Sequence, residues 1–291
     1  KSLNIFACAI TLIFAALASA SSIKYVGFNY TPKNIKESFG KIPDPATIVK
    51  YVNIMKNKVE EEAKAVLFVT VGELVKNKIC AFNFPKPKNV ENLSNVSYGK
   101  EDMFENLLSK CDEEKINVWL VVEPGDNDLI KLSNIVIEKY KKHKSVKGFG
   151  ADLNLWYSTT NESGKVLTDQ EAKDVVTNLR NTNRRYTFLA KHRFEHHLPQ
   201  YYDGGMIFVC NEQGYVRSSK MCIEAAYWSS DFPYTKIIFE SGHEKDENMW
   251  SKNPLGVINE VFNCGNDYND QIGFVWDDKS MKKVIDIINK N

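Results

Sequence analysis

Gly148-Phe149-Gly150-Ala151-Asp152-Leu153-Asn154-Leu155-Trp156 reads as a buried strand that runs into polar residues and a tryptophan. Side chains two apart on an extended strand share a face, so Asp152 and Asn154 are expected to point the same way. In a (β/α)8 barrel the carboxyl ends of the inner strands are where catalytic groups collect. The stretch therefore poses the fold and the function together.

Working outward, short apolar runs recur along the chain, as expected of parallel strands buried on both faces. They are residues 23–28, 65–71, 118–122, 146–153, 186–190, 206–209, 236–239 and 272–275. Amphipathic helices are expected between them. Asp44-Pro45 supplies a cap and a proline at the first helical position, ahead of Ile48, Val52, Met55 and Val59 on one face. Thr168 with Glu171 forms a capping box before Ala172, Val175, Val176 and Leu179. Asn253-Pro254 opens a later helix, and Met281 to Ile288 forms the last one. Alternating strands and helices call for a parallel sheet with covering helices. Eight strands in this length predict an α/β fold, a single-domain (β/α)8 TIM barrel spanning residues 21–291. Residues 79–84 are expected as a β-excursion after the second strand. An open doubly wound sheet usually carries a glycine-rich phosphate turn after its first strand, and Asn29-Tyr30-Thr31-Pro32 is not one.

The chain opens on Lys1, an apolar run from Ile5 to Leu17 and Ala18-Ser19-Ala20, the pattern of a secretory signal peptide over residues 1–20. A secreted, extracellular protein is expected, with no membrane association once the signal is removed. Asn29, Asn92, Asn95 and Asn161 head glycosylation sequons, and Asn92 and Asn95 lie in a polar loop that suits a glycoprotein best. With Cys8 in the signal, an odd number of cysteines remains, so at least one thiol is unpaired within the chain. Cys80 with Cys111 is the preferred disulfide and Cys222 with Cys264 the second. A net charge of +1 argues against a nucleic-acid partner. No metal or cofactor is expected, because no Cys-x-x-Cys pair exists and the neighbouring histidines of Glu195-His196-His197 point different ways on a helix. A monomer is expected.

On the barrel reading, a specific set of side chains gathers at the strand ends. These are Tyr30, Glu123, Asp152, Asn154, Trp156, Lys191, His192, Asn211, Gln213, Glu240, Trp276 and Asp277. Glu123 and Asp152, on neighbouring strands, are the catalytic candidates and the others the substrate-binding set. Glu123 is expected to be the acid, raised by burial, and Asp152 to stay ionised near Lys191. Plainer readings stand beside these. Glu123 ahead of Pro124-Gly125 also suits a helix cap. Asp152 and Lys191 also suit a supporting buried ion pair. His192, Trp156 and Trp276 also suit the core.

The Gly148–Trp156 stretch resembles the fourth-strand motif of the family-18 chitinases, Asp-Gly-x-Asp-x-Asp-x-Glu. Trp156 stands at its final glutamate, the proton donor, and Asn154 at the aspartate before it. Residues 118–125, 148–156, 188–192, 207–213 and 273–277 are also similar to a largely uncharacterised family of secreted bacterial and archaeal barrels of the glycoside-hydrolase type. On that pattern, Gly-Val-Asp-Val-Glu-Trp-Tyr, Asp152 is kept and Asn154 replaces a glutamate, while Cys210-Asn211 replaces two aspartates. The resemblance implies a barrel with a polysaccharide or glycan partner.

Two functional readings follow. A glycoside hydrolase needs a carboxylic acid and a second carboxylate, which Glu123 and Asp152 provide, with Glu240 and Asp277 in reserve and Trp156, Trp276 and Tyr30 as stacking faces. A non-catalytic carbohydrate-binding barrel would use the same tryptophans, with Asn154 and Asn211 as ligands for hydroxyls.

Overall fold

The computed structural model describes residues 22–158, 164–200 and 204–290, apart from the side chain of Asn77. The expected signal and the Asn161 sequon lie outside the described residues. All of the expected strands form. They are β1 (Tyr25–Tyr30), β2 (Lys64–Val75), β5 (Asn117–Val122), β6 (Val146–Asp152), β7 (Thr187–His192), β8 (Met206–Cys210), β9 (Lys236–Ser241) and β10 (Ile272–Trp276). Each pairs in parallel with its neighbour, and β1 pairs with both β10 and β2, so the sheet closes on itself as a (β/α)8 barrel. The excursion after β2 consists of β3 (Ile79–Phe82), antiparallel to the end of β2, and β4 (Val96–Tyr98) beside it.

The helices start where their caps dictate. Asp44 accepts from Thr47 N at 2.9 Å and opens α2 (Pro45–Val59), which follows the short α1 (Pro32–Phe39). The outer layer continues with α3 (Glu105–Glu113) and α4 (Leu129–Tyr140). Thr168 and Glu171 complete the capping box of α5 (Asp169–Thr182). After β8 comes α6 (Ser218–Asp231), and after β9 come α7 (Glu247–Trp250) and α8 (Pro254–Asn266), the latter capped by Asn253. The closing helix is α9 (Met281–Ile288).

The pairing register fixes which side chains face the barrel axis. Phe68 pairs with Trp119, Trp119 with Gly148, Gly148 with Thr187, and Leu189 with Ile207. These positions point inward together, because the side-chain period is two. Tyr25, Val66, Phe68, Trp119, Val121, Leu189, Ile207, Val209, Ile238 and Val275 fill the interior as one apolar cluster. Glycines on the same face let neighbouring strands approach closely. A side chain at Gly27 or Gly148 would come within 1.7 or 1.9 Å of the neighbouring strand's carbonyl oxygen. The opposite strand faces pack under the helices in a second, larger core.

The disulfide is Cys222–Cys264, joining α6 to α8 with Cα atoms 5.5 Å apart. Cys80 and Cys111 are buried free thiols, which corrects the preferred pairing. Cys80 sits on β3, beside β2, whereas Cys111 lies on α3 under Tyr30. Nearness in sequence places them in different layers. Cys210 is also a buried free thiol.

Candidate active site

Several strands run one or two residues past their apolar stretch, so their polar ends belong to the sheet. Following the inward face of each strand upward leads from the apolar interior to Asn29, Thr70, Glu123, Asp152, Lys191, Glu240 and Asp277. All of these line one cavity of about 110 Å³ at the carboxyl end of the barrel. Of the residues expected at the site, Glu123, Asp152, Lys191, Glu240 and Asp277 meet there. Thr31, Asn34 and Asp278 join them without having been expected. Asp278 had a signal, as an acid directly after Asp277.

Opposite charges alternate across the cavity. Lys191 Nζ lies 2.7 Å from Glu240 Oε2. On the far side of Glu240, His243 Nε2 is 3.6 Å from Oε1, and His243 Nδ1 is 3.3 Å from Asp277 Oδ2. Burial alone would hold Lys191 down, but the charges of Glu240 and Asp152 outweigh it and raise its pKa, so it is an ammonium rather than a free amine. That makes it a poor Schiff-base nucleophile. Burial would likewise lower His243, but the Asp277 hydrogen bond and the Glu240 charge raise it. Asp277, which burial alone would push up, is held below its ordinary value by the His243 hydrogen bond and charge.

Asp152 was expected to be the carboxylate that Lys191 holds ionised. The lysine's ion pair is with Glu240 instead, and burial raises Asp152 despite the Lys191 charge and the Asn154 hydrogen bonds. β6 ends at Asp152, and a tight turn over Leu153–Leu155 brings Asn154 back onto it. Asn154 donates from N and Nδ2 to Asp152 Oδ1 at 3.1 and 2.8 Å. The same Nδ2 lies 3.2 Å from Asn211 Oδ1, and Asn154 Oδ1 accepts from Arg193 N at 3.2 Å. The Asn154 amide is buried and occupied on both its oxygen and its nitrogen, which leaves it little to offer a sugar hydroxyl, while Asn211 is engaged through Oδ1.

Glu123 sits across the barrel from Glu240. Its Oε2 accepts from Leu74 N at 2.6 Å. Burial pushes its pKa up to about 7, against that hydrogen bond and with help from the nearby Asp152 charge. Asp278 is also raised, by burial and then by Asp277, while it accepts from Thr31 N and from Asn34 Nδ2.

The expected stacking faces are not at the cavity. Trp276 is 1% exposed, donates from Nε1 to Ser280 Oγ at 2.9 Å and meets Trp250 edge-on. Trp156 is 4% exposed and donates to Asn127 O at 2.9 Å. Tyr30 and His192 are buried in the outer core, with His192 stacked on His197. Strand alternation explains three of these corrections. Asn29, Lys191 and Asp277 face inward, so Tyr30, His192 and Trp276 must face outward. Gln213 lies on the loop after β8, outside the cavity lining.

Glu240, His243 and Asp277 offer possible metal-ligand atoms within 4.8 Å of one another. The geometry fits an ion poorly. The two imidazole nitrogens face different carboxylates and their lone pairs diverge, while Lys191 already supplies a cation to Glu240. His196, on the short turn Glu195–His197, faces Phe194 and Glu195.

No protein-family model matches the chain, and no curated protein sequence matches it. Among solved structures, it is similar to an FMN-binding beta-glucuronidase from Facaelibacterium prausnitzii L2-6, with 8% identity, 88% of this chain and 38% of that chain covered, and a TM-score of 0.48. A putative beta-galactosidase from Bacteroides fragilis shares 9% identity over 88% of this chain and 36% of that one, with a TM-score of 0.45. A beta-mannanase from Thermomonospora fusca, in complex with mannotriose, shares 12% identity over 87% and 78%, with a TM-score of 0.45. The chain thus spans well under half the length of the first two. The barrel itself rests on the closed strand pairing.

Proposed function

We propose that the chain is a secreted, carbohydrate-active barrel that hydrolyses a glycosidic bond in a polysaccharide, with Glu123 as the acid and Glu240 as the carboxylate opposite it. The observation that supports this reading is a small, carboxyl-lined cavity in which a largely buried acid faces a carboxylate already engaged by a lysine and a histidine. Glycoside cleavage needs that division of labour between two carboxyl groups. Glu123 keeps one oxygen on Leu74 N and gives its proton to the leaving glycosidic oxygen as the carbon–oxygen bond breaks. Glu240, on the other wall, either attacks the anomeric carbon or takes the proton of a water that does. Asp152, on the strand beside Glu123, is held in place by the two hydrogen bonds from Asn154. The non-catalytic binding reading loses its expected stacking faces and the amide of Asn154, because the tryptophans are buried and that amide is occupied.

The proposal includes export with residues 1–20 removed and a glycan on Asn92, which is exposed, whereas Asn29 is buried at the barrel mouth. Reducing-end release from chitin, peptidoglycan-type and plant-wall polysaccharides tests the activity. Glu123→Gln and Glu240→Gln should each lower turnover by about two to four orders of magnitude, the usual contribution of such groups. A wild type that binds a glycan yet releases no reducing ends from any of these substrates would sink the hydrolase.

A further inference from the structure

The amino end of the barrel holds a second cavity, lined by cations where the first is lined mainly by carboxylates. Its volume is about 470 Å³ and its lining includes Lys64, Lys147, Arg185 and Lys236 over a floor of Tyr25 and Trp119. No aspartate or glutamate lines it. Lys64 and Lys236 begin β2 and β9, and Lys147 and Arg185 lie at the starts of β6 and β7. The parallel barrel therefore gathers these cations at one mouth by strand direction alone.

Among the described residues, none of the four cations forms an ion pair. Lys64 Nζ stands 5.7 Å from the Tyr25 ring centroid, and Lys147 Nζ donates to Lys144 O at 2.6 Å. The carboxylate that acts on Lys147, Asp112, is engaged by His143 at 2.8 Å and by Ser145 N at 2.6 Å. Like charges crowd each other here. Burial, then Lys64 and Arg180, lower Lys236, and burial with Arg185 lowers Lys147. Trp119 and Tyr25, 4% and 6% exposed, close the floor with low-dielectric material, which strengthens the field above them. A neighbouring cavity of about 400 Å³ shares Lys147 and Arg185 and adds Lys144, extending the cationic surface outward.

Unpaired cations around a concave aromatic floor destabilise the chain unless an anion neutralises them. We propose that this amino-end cavity is a binding site for a multivalent oxyanion of the phosphate or sulfate class, held by Lys64, Lys147, Arg185 and Lys236. The site is separate from the acidic cavity and independent of the hydrolase reading. A small anion fits better than a nucleic acid, because the chain as a whole carries a net charge of only +1.

Calorimetric titration of the whole protein at low ionic strength tests this, with inorganic pyrophosphate and a sulfated disaccharide as probes and sodium chloride at matched ionic strength as the control. One site per chain is expected for at least one probe. Pyrophosphate as the tighter ligand would indicate a phosphate compound, and the disaccharide would indicate a sulfated sugar. Lys64→Gln with Lys236→Gln should weaken the binding by about ten-fold or more, since one lost charge-assisted hydrogen bond alone is worth about that factor. Arg185→Gln, at an exposed position that does not threaten folding, should weaken it by a smaller factor. In the absence of anion, the double variant should melt at the wild-type temperature or above it. Heat with neither probe beyond the chloride control, or equal affinity in wild type and Arg185→Gln, overturns the proposal. So does tighter binding of a single-stranded RNA with a steep salt dependence.

Discussion

Glu123→Gln separates the electrostatics of the acidic cavity from its packing. The amide keeps the shape of the acid and still accepts from Leu74 N, so the contact at 2.6 Å survives. What disappears is the ionisation. In the folded chain, burial raises this carboxyl from its ordinary 4.5 to about 7. A folded pKa above the unfolded one means that the native state holds the proton more tightly. The stabilising contribution is full below pH 4.5 and is lost as pH rises through about 7. The size of the shift corresponds to about 3 kcal/mol between those limits. Urea unfolding of both proteins should therefore give similar stabilities near pH 4.5 and a widening gap above it. By pH 8 the variant should lead by up to about 3 kcal/mol. Asp152 and Asp278, also raised by burial, titrate in both proteins and cancel to first order in the difference. Stability curves that run parallel from pH 4.5 to 8 would refute the buried, raised acid, and with it the proton donor.

Lys191→Met leaves Glu240 without its ion-pair partner, and breaking such a buried pair should cost about 3–5 kcal/mol in urea unfolding at neutral pH. Asn154→Glu, which the family resemblance suggests as a restoration, should instead destabilise the protein, because Asp152 Oδ1 and Asn211 Oδ1 would then face a third acceptor; a calorimetric melt at or above wild type would contradict this. Replacing Cys222 and Cys264 with alanine opens a link across 42 residues and should lower stability by about 3–4 kcal/mol on chain-entropy grounds, read from the same unfolding assay. Asn92→Gln should remove the glycosidase-sensitive mass from protein secreted by a glycosylating host, and an unchanged mass would locate the glycan elsewhere.

The strands were legible because both of their faces are buried, which makes each an apolar run. Their exact ends were not, since the apolar runs stop at Phe28, Ala190 and Phe239 while the sheet continues through Asn29-Tyr30, Lys191-His192 and Glu240-Ser241. Strand ends matter here, because alternation along those last residues decides between cavity and outer core. Applied to Trp276-Asp277, it assigns the acid to the cavity and the indole to the helices. His243 lay beyond sequence reasoning for another reason. It reaches Glu240 and Asp277 only because Gly242, at φ 84°, turns the chain tightly over Trp276, where any Cβ would meet the indole at 1.9 Å. The disulfide depended on α6 and α8 lying side by side, a tertiary fact with no local signature.

The apolar cluster inside the barrel is also an insulator. Tyr25, Phe68, Trp119, Leu189, Ile207 and Ile238 stand between the carboxylates of one mouth and the lysines of the other. Charge changes at the two ends should then combine additively, as they do for sites with no shared partners. Lineages of this fold would be free to rework one mouth without disturbing the proton held at the other.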